Sequence, residues 1–520
     1  MSMTGAEVVV ARLEAAGVEV CFGLPGVHNL ALWEALRRSP IRLVGVRHEQ
    51  AAAYAADGYA RATGRLGVAL VTTGPGAANT LAAVGEAFAS RSAVLVIATD
   101  IPTTLRRPGV WRGVLHETTD QAAMFAPVTR ATHVCGEVGA TVADAVDDAL
   151  TLDGPVYLGV PTDLLGAPAE PSGRDMTERS IKLNRLTLCA ADRPLLWVGA
   201  GARDRRAEVV ALAEALAAPV IETFGGRGVM PLGHPCRVGF PPHVEPVGRL
   251  WDEADLVVAI GDPLDGIATQ NFAQPQPPRL VTAGVPTPNY TVDRAVSDVD
   301  NLATDRTQRD LAPVAERLRR VRAEACAGLD ARALRFLDAF AHAVPADAVV
   351  ACDMCIPGYW IAGFHPFAQP RRLQYPMGWG TLGFAFPASL GAAVAGAGPV
   401  ISVSGDGGFL YAPGELATVA QEAIGLTAVI VDDGGYGMLR YDQDVAGTAR
   451  HGVDLRTPDF EALAGAFGIR SETVEGLEDD FGEALARHVA DPEPSLLVAR
   501  AEALVPPPTS SPNWYRRRRG

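Results

Sequence analysis

The chain has 520 residues, 48% of them hydrophobic and 20% charged, and a formal net charge of −15. That length is too great for one hydrophobic core and implies two to four globular domains. The acidic balance excludes broad nucleic-acid binding, and the seven cysteines, scattered over the whole length, do not make a disulfide framework.

In chain order, the opening MSMTGAEVVVARLEAAGVEV lacks a basic region ahead of an apolar core and is not expected to be a secretion signal. Helical spacing over Ala6 to Ala16 precedes a strand at Val18 to Phe22, the turn Leu24-Pro25-Gly26 and a helix at Leu30 to Arg37. A strand at Leu43 to Val46 stops at Arg47-His48-Glu49. The alanine-rich helix Gln50 to Arg61 has small residues on most faces, which implies close packing on several sides. Val68 to Val71 ends at Thr72-Thr73-Gly74-Pro75-Gly76, followed by a helix and the strand Ala93 to Ala98. The polar, proline-bearing stretch 167–184 reads as a linker. Beyond it, Pro194 to Gly201, a helix near Ala207 to Leu216 and Ala254 to Gly261 alternate again, and Pro313 to Ala327 is a charged helix. Gly199-Ala200-Gly201 is only a fragment of a dinucleotide fingerprint and reads as a structural turn.

Cys352 and Cys355 form a lone C-x-x-C and read as buried thiols rather than a metal site. The stretch from Pro376 to Gly405 carries no charge, but its glycines and internal prolines break any membrane-spanning helix. The expected location is the cytoplasm. Val400 to Val403 is a strand stopped by Gly405-Asp406-Gly407-Gly408. A helix over Pro413 to Ala423 follows, then a strand over Leu426 to Val431 stopped by Asp432-Asp433-Gly434-Gly435. A right-handed crossover brings both acidic stops to the carboxyl ends of parallel strands. Hard oxygen ligands beside a glycine turn and a helix start suit a magnesium diphosphate. The stretch from Val68 to Asp100 echoes that from Val400 to Asp433 in strand, glycine loop, helix and strand, without the acidic ligands. Two α/β domains of similar plan are expected. Pro506-Pro507-Pro508 and Trp514-Tyr515 are expected to hang free, and Arg516 to Arg519 to be a solvated charge run.

These residues carry a resemblance. Phe22 to Gly26, Arg47 to Ala52, Asp57 to Arg61, Gly74-Pro75-Gly76 with Asn79, Gly378 to Ala385, Gly405-Asp406-Gly407 and Gly435 to Met438 stand in one order. In that combination the chain resembles the thiamine diphosphate (ThDP)-dependent superfamily of acetolactate synthases and 2-oxo acid decarboxylases, from Met3 to about Pro508. The resemblance implies an α/β fold of three domains with parallel, helix-flanked sheets: a pyrimidine-binding domain (1–166), a middle domain (185–330) and a diphosphate-binding domain (331–505), with a tail at 506–520. It implies ThDP and Mg2+ as cofactors, and a cofactor lying between two subunits of a homodimer or homotetramer. No nucleic acid, membrane or FAD is expected.

By the same resemblance, Glu49 is the catalytic carboxyl that hydrogen-bonds the aminopyrimidine. Leu382 props the bent cofactor, and the Gly380 carbonyl accepts from its amino group. Asp406, Asp433 and the Gly435 carbonyl are the metal ligands, although the family usually has asparagine at 432 and 433. Gly26, Pro75, Asn79, Gly405, Gly407, Gly408, Tyr436, Gly437 and Met438 complete the cofactor site. His28 and His116 are candidates for handling substrate protons, and the string around His116, Leu115-His116-Glu117 followed by Asp120-Gln121, also looks like decarboxylases of guanidino-bearing 2-oxo acids. The implied function is decarboxylation of a 2-oxo acid to a ThDP-bound enamine and its ligation to a second carbonyl, as in acetolactate synthases. The alternative is a simple decarboxylase that releases an aldehyde. Behind these stand a non-catalytic protein with the same fold and a flavin or nicotinamide oxidoreductase.

Overall fold

A computed structural model of the chain describes residues 3–107, 109–171, 186–188, 191–304 and 309–514. Most of the expected linker, and Tyr515 to Arg519, lie outside the described residues. The first linker residues are a short strand: Pro168–Ala169 pairs antiparallel with Met3–Thr4.

Three parallel sheets carry the fold. The first holds β1 (Val20–Gly23), β2 (Arg42–Gly45), β3 (Gly67–Val71), β4 (Val94–Asp100), β5 (Ala131–Val134) and β6 (Val156–Pro161), in the order β2-β1-β3-β4-β6-β5. The middle sheet holds β7 (Pro194–Val198), β8 (Val220–Glu222), β9 (Leu256–Ile260), β10 (Leu280–Ala283) and β11 (Arg294–Val296), ordered β8-β7-β9-β10-β11. The last holds β12 (Val349–Cys352), β13 (Leu373–Gln374), β14 (Val400–Gly405), β15 (Thr427–Asp432), β16 (Arg470–Glu475) and β17 (Ser495–Arg500), ordered β13-β12-β14-β15-β17-β16. The first and last sheets therefore have the same strand order. The echo seen in the sequence falls on equivalent strands, β3 with β4 and β14 with β15, both paired in parallel. These central strands are buried on both faces, which is why they read as unbroken apolar runs.

The two outer sheets are joined through helices α1 (Glu49–Thr63) and α2 (Ala385–Val394). Their backbones meet at glycine: a Cβ on Gly58 would lie 1.9 Å from the Ala388 carbonyl oxygen, and one on Gly391 1.8 Å from that of Ala55. This contact explains the alanines of α1. A buried ionic group sits beside it, with Arg61 donating to Asp57 at 2.6 and 2.8 Å and to Glu86 at 3.3 Å. In the middle domain Gly199 and Gly201 are packing residues. Cβ atoms there would stand 2.4 Å from Asp262 Oδ2 and 2.8 Å from Gly261 Cα. Cys352 and Cys355 are free thiols, and burial raises both pKa values.

The expected helix over Pro413 to Ala423 is a 3-10 turn, Pro413–Glu415, running into α3 (Leu416–Glu422), which Ala423 ends in the left-handed conformation. The residues from 505 to 514 do not hang free. Trp360 Nε1 donates to the Val505 carbonyl at 2.8 Å, Asn513 Nδ2 to that of Pro506 at 2.9 Å, and the Trp514 ring lies 5.8 Å from that of His243. Three successive prolines leave few backbone donors to satisfy, so side-chain donors fix this strap.

Candidate active site

All the candidates of the last domain converge. Gly380, Leu382, Gly405 to Gly408, Asp433, Gly435, Tyr436, Gly437 and Met438 line one cavity of about 210 Å3 at the carboxyl ends of β12, β14 and β15. Glycine shapes its floor: a Cβ on Gly407 would meet the Tyr436 ring at 2.6 Å, and one on Gly408 would meet Asp353 Oδ2 at 3.0 Å. The Gly405-Asp406-Gly407-Gly408 stop is not an open loop, because Asp406–Phe409 forms a helical turn. Tyr436 precedes helix α4 (Gly437–Val445), so the amino end of α4 borders the cavity.

Asp406 is 1% exposed. Its Oδ1 accepts from the Gly407 N–H at 2.7 Å, whereas its buried Oδ2 has no hydrogen-bond partner. Burial, with the charges of Asp433 and Asp432, pushes its pKa up to about 7. Asp433 is raised by burial to about 6 despite the Arg440 guanidinium beside it. Among the described residues no three His, Cys, Asp or Glu side chains form a ready-made metal cage. Two carboxylates and the Gly435 carbonyl are an incomplete oxygen set of the kind that Mg2+ would complete with phosphate oxygens and water. The unsatisfied carboxylate oxygen and the glycine floor fit a magnesium-bound diphosphate.

Asp353 lines the same cavity and was not anticipated from the sequence, where it was hidden inside the C-x-x-C. Fully buried, with its pKa raised by burial to about 6, it accepts from the N–H groups of Met354 at 2.8 Å and Gly383 at 2.9 Å. It thereby anchors the turn that carries Gly380 and Leu382.

The candidates of the first domain form a second group, and none of them lines that cavity. Glu49 opens α1 at 8% exposure and accepts from Asn79 Nδ2 at 2.9 Å. Pro75 starts the helical turn Pro75–Ala78 that leads into Asn79. A Cβ on Gly76 would crowd Glu49 Oε1 and Thr72, and one on Gly26 would meet Thr72 at 2.6 Å. Asn29 closes the turn around His28, accepting from Gly26 N–H at 2.8 Å and donating to the Leu24 carbonyl at 3.0 Å. His28 and His116 face each other edge to face, 5.0 Å apart, and both Nδ1 atoms are buried without partners. Burial, with His116 adding to it, lowers the His28 pKa.

The string around His116 is largely scaffolding. Gln121 receives the Gly74 N–H at 2.6 Å and donates to the Thr99 carbonyl and to Tyr157 Oη, Glu117 receives the N–H groups of Arg112 and Val114, and Asp120 caps the next helix. These bonds hold His116 at φ +63°, with its carbonyl against Gly74.

The two groups thus stand apart in a single chain, and no first-domain candidate lines the cavity of the last domain. Residues 3–124, 186–286 and 354–499 match the descriptions "Thiamine pyrophosphate enzyme" N-terminal TPP binding domain, central domain and C-terminal TPP binding domain. The chain belongs to the thiamine pyrophosphate-dependent enzyme family. It is 35% identical to the "Probable 2-ketoarginine decarboxylase AruI" of Pseudomonas aeruginosa over 92% of this chain and 90% of that protein. It is 30% identical to a "Probable acetolactate synthase large subunit" of Methanocaldococcus jannaschii, over 97% of this chain and 94% of that one. It is 29% identical to the acetolactate synthase isozyme 2 large subunit of Escherichia coli, over 98% of both. No helix among the described residues is long and apolar enough to cross a membrane.

Proposed function

We propose that this ThDP enzyme uses Mg2+ and decarboxylates a 2-oxo acid, the step common to both kinds of relative. Asp406, Asp433 and the Gly435 carbonyl would hold the metal. The Gly405 to Gly408 turn and the amino end of α4 would receive the diphosphate, with Leu382 and Met438 against the thiazolium end. Bound ThDP supplies the electron sink for the carbon–carbon bond that breaks as carbon dioxide leaves. Glu49, held by Asn79, would face the pyrimidine ring with a carboxyl able to give up or take back a proton.

Because the Glu49 group and the Asp406 cavity lie apart in one chain, we read the site as completed by a second copy, in a cytoplasmic homodimer or homotetramer. Val27 and Leu115 beside the histidines, and Trp379, Tyr411 and Leu439 beside the cavity, are large apolar side chains exposed on the isolated chain. Such surface is what an obligate partner covers. The domains are taken as 1–166, 185–330 and 331–505.

The fate of the carbon left after decarboxylation separates two readings. Ligation to a second carbonyl is the one that most of the relatives' names support. Protonation to an aldehyde is favoured by a specific observation, the facing His28 and His116 with unpartnered Nδ1 atoms, and by the relative at 35% identity. The histidine pair carries our conclusion, decarboxylation with aldehyde release. The test is NMR of 13C-labelled products from a panel of pyruvate, branched, aromatic and 5-guanidino 2-oxo acids with ThDP and Mg2+, with Glu49→Gln as control. An aldehyde from one acid supports the conclusion. A new carbon–carbon bond as the main product assigns the carboligase reading instead.

A further inference from the structure

Glu415 is 1% exposed and stands 366 residues from Glu49 in sequence, yet it grips the backbone that leads into it. Its Oε1 accepts from the N–H groups of Arg47 at 3.0 Å and His48 at 3.1 Å, and its Oε2 from Arg47 N–H at 3.2 Å and Thr418 Oγ1 at 2.6 Å. Those two N–H groups belong to the loop between β2 and α1. His48 is the residue before α1, and its ring Nδ1 accepts from the Gln50 N–H at 3.2 Å. Nearby, Arg47 Nη2 donates to Gln421 Oε1 at 2.6 Å. Burying a carboxylate is costly unless donors surround it. Here the donors are two backbone amides otherwise left without partners at the entry to the helix that starts with Glu49.

We propose that Glu415 is a positioning residue for Glu49. By fixing the peptides of Arg47 and His48 it sets the start of α1, and with it the direction in which the Glu49 carboxyl leaves the helix. Asn79 holds the far end of that side chain. The role rests on the reading of Glu49 as the group that exchanges a proton with the pyrimidine ring. A carboxylate can receive both amides and Thr418 together. Glutamine keeps one oxygen for the amides, and aspartate, one methylene shorter, keeps the charge but not the reach.

The test uses the full chain and two readouts. In the apoprotein, hydrogen exchange by mass spectrometry follows the amides of residues 46–50. Glu415→Ala and Glu415→Asp should lose protection there about tenfold or more while the rest of the chain is unchanged. With ThDP and Mg2+ added, acid-quenched NMR follows deuterium exchange at the C2 carbon of the bound cofactor. The rate should fall on the order of 100-fold in the Ala and Asp variants and recover to within about threefold of wild type in Glu415→Gln, at unchanged cofactor occupancy. A residue that only glues domains together would lower melting temperature without changing C2 exchange in the folded, loaded fraction. That result, or unchanged amide protection in Glu415→Ala, overturns the proposal. If Glu49→Gln exchanges C2 as fast as wild type, the role of Glu49 fails and the proposal with it, while the apoprotein amides still report the grip itself.

Discussion

Arg440 holds Asp433: its Nη1 donates to the Asp433 backbone carbonyl at 2.8 Å and approaches Oδ1 at 3.4 Å, while Nη2 donates to the Gly434 carbonyl and Nε to Asp454 at 2.7 Å. At position 433, where the resemblance implies asparagine, this chain has an aspartate with a cation alongside. The guanidinium offsets the extra negative charge next to the expected diphosphate and fixes the backbone that leads into Gly435. Asp433→Asn should therefore bind Mg-ThDP as tightly as wild type or more tightly. Arg440→Ala, which leaves a largely buried carboxylate without its cation, should weaken binding by about tenfold or more. Quenching of tryptophan fluorescence on titration with Mg-ThDP checks both. A large loss of affinity in Asp433→Asn would remove that residue from the metal site.

The raised pKa values of Asp406, about 7, and Asp433, about 6, both due first to burial, would give the proposed Mg2+ binding a pH dependence. The metal needs both carboxylates ionised, so its affinity should rise with pH from 5 to about 7.5 and then level off. The apoprotein should behave in the opposite sense. Its folded state holds these protons more tightly than the unfolded chain, so their contribution to stability is full below the unfolded pKa and is lost as pH rises through 6 and 7. Melting curves of apoprotein and Mg-ThDP-loaded protein between pH 5 and 8 should diverge as pH increases.

His116→Gln should cut aldehyde formation by about 100-fold, because it removes the proposed proton donor and His116 does not line the cofactor cavity. Carbon dioxide release should recover in part when a second carbonyl compound is added, and product partition by NMR reads the change. His28→Ala should act in the same direction, since the two rings face each other.

Breaking the buried ionic group that lies in the first domain beside the α1–α2 contact should be severe. Arg61→Ala leaves Asp57 and Glu86, both fully buried, without their cation and should cost about 3–5 kcal/mol in denaturant unfolding. Gly391→Ala should also destabilise, by about 1–3 kcal/mol, because its Cβ would enter the backbone of α1.

The strap at the carboxyl end reaches the site indirectly. Tyr441, on α4, donates its hydroxyl to Asn513 Oδ1 at 2.8 Å, and α4 begins with Gly437 and Met438 on the cavity wall. Tyr441→Phe should lose about 1 kcal/mol of stability, and removal of residues 506–520 should raise the ThDP dissociation constant more than that substitution does.

Much of this was legible in the sequence because local chemistry stated it. Strands β3, β14 and β15 are apolar runs stopped by glycine or acidic turns, and the acidic stops marked the cavity. The repeat between Val68 and Asp433 became two sheets of one strand order. What escaped had no local signature. Helix α2, AFPASLGAAV, is buried on nearly every face and shows no amphipathic period. Glu415 meets the Arg47 and His48 amides only through the packing of two domains. The strap looked free because prolines and serines are as common in loose ends as in segments pinned by side-chain hydrogen bonds. Glu117, Asp120 and Gln121 sat in a string suggestive of substrate chemistry, but their oxygens are occupied by backbone donors of the surrounding loops.

The claim on which the account turns is that Glu49 of one chain and Asp406 of another build a single site. Co-expression of Glu49→Gln chains with Asp406→Ala chains tests it directly, with carbon dioxide release from the preferred 2-oxo acid as the readout. Each variant alone should be inactive. The mixture should regain about a quarter of wild-type activity, since half of randomly paired dimers are mixed and each of those has one intact site. A mixture as inactive as either variant, or substantial activity in one variant alone, would contradict the shared site.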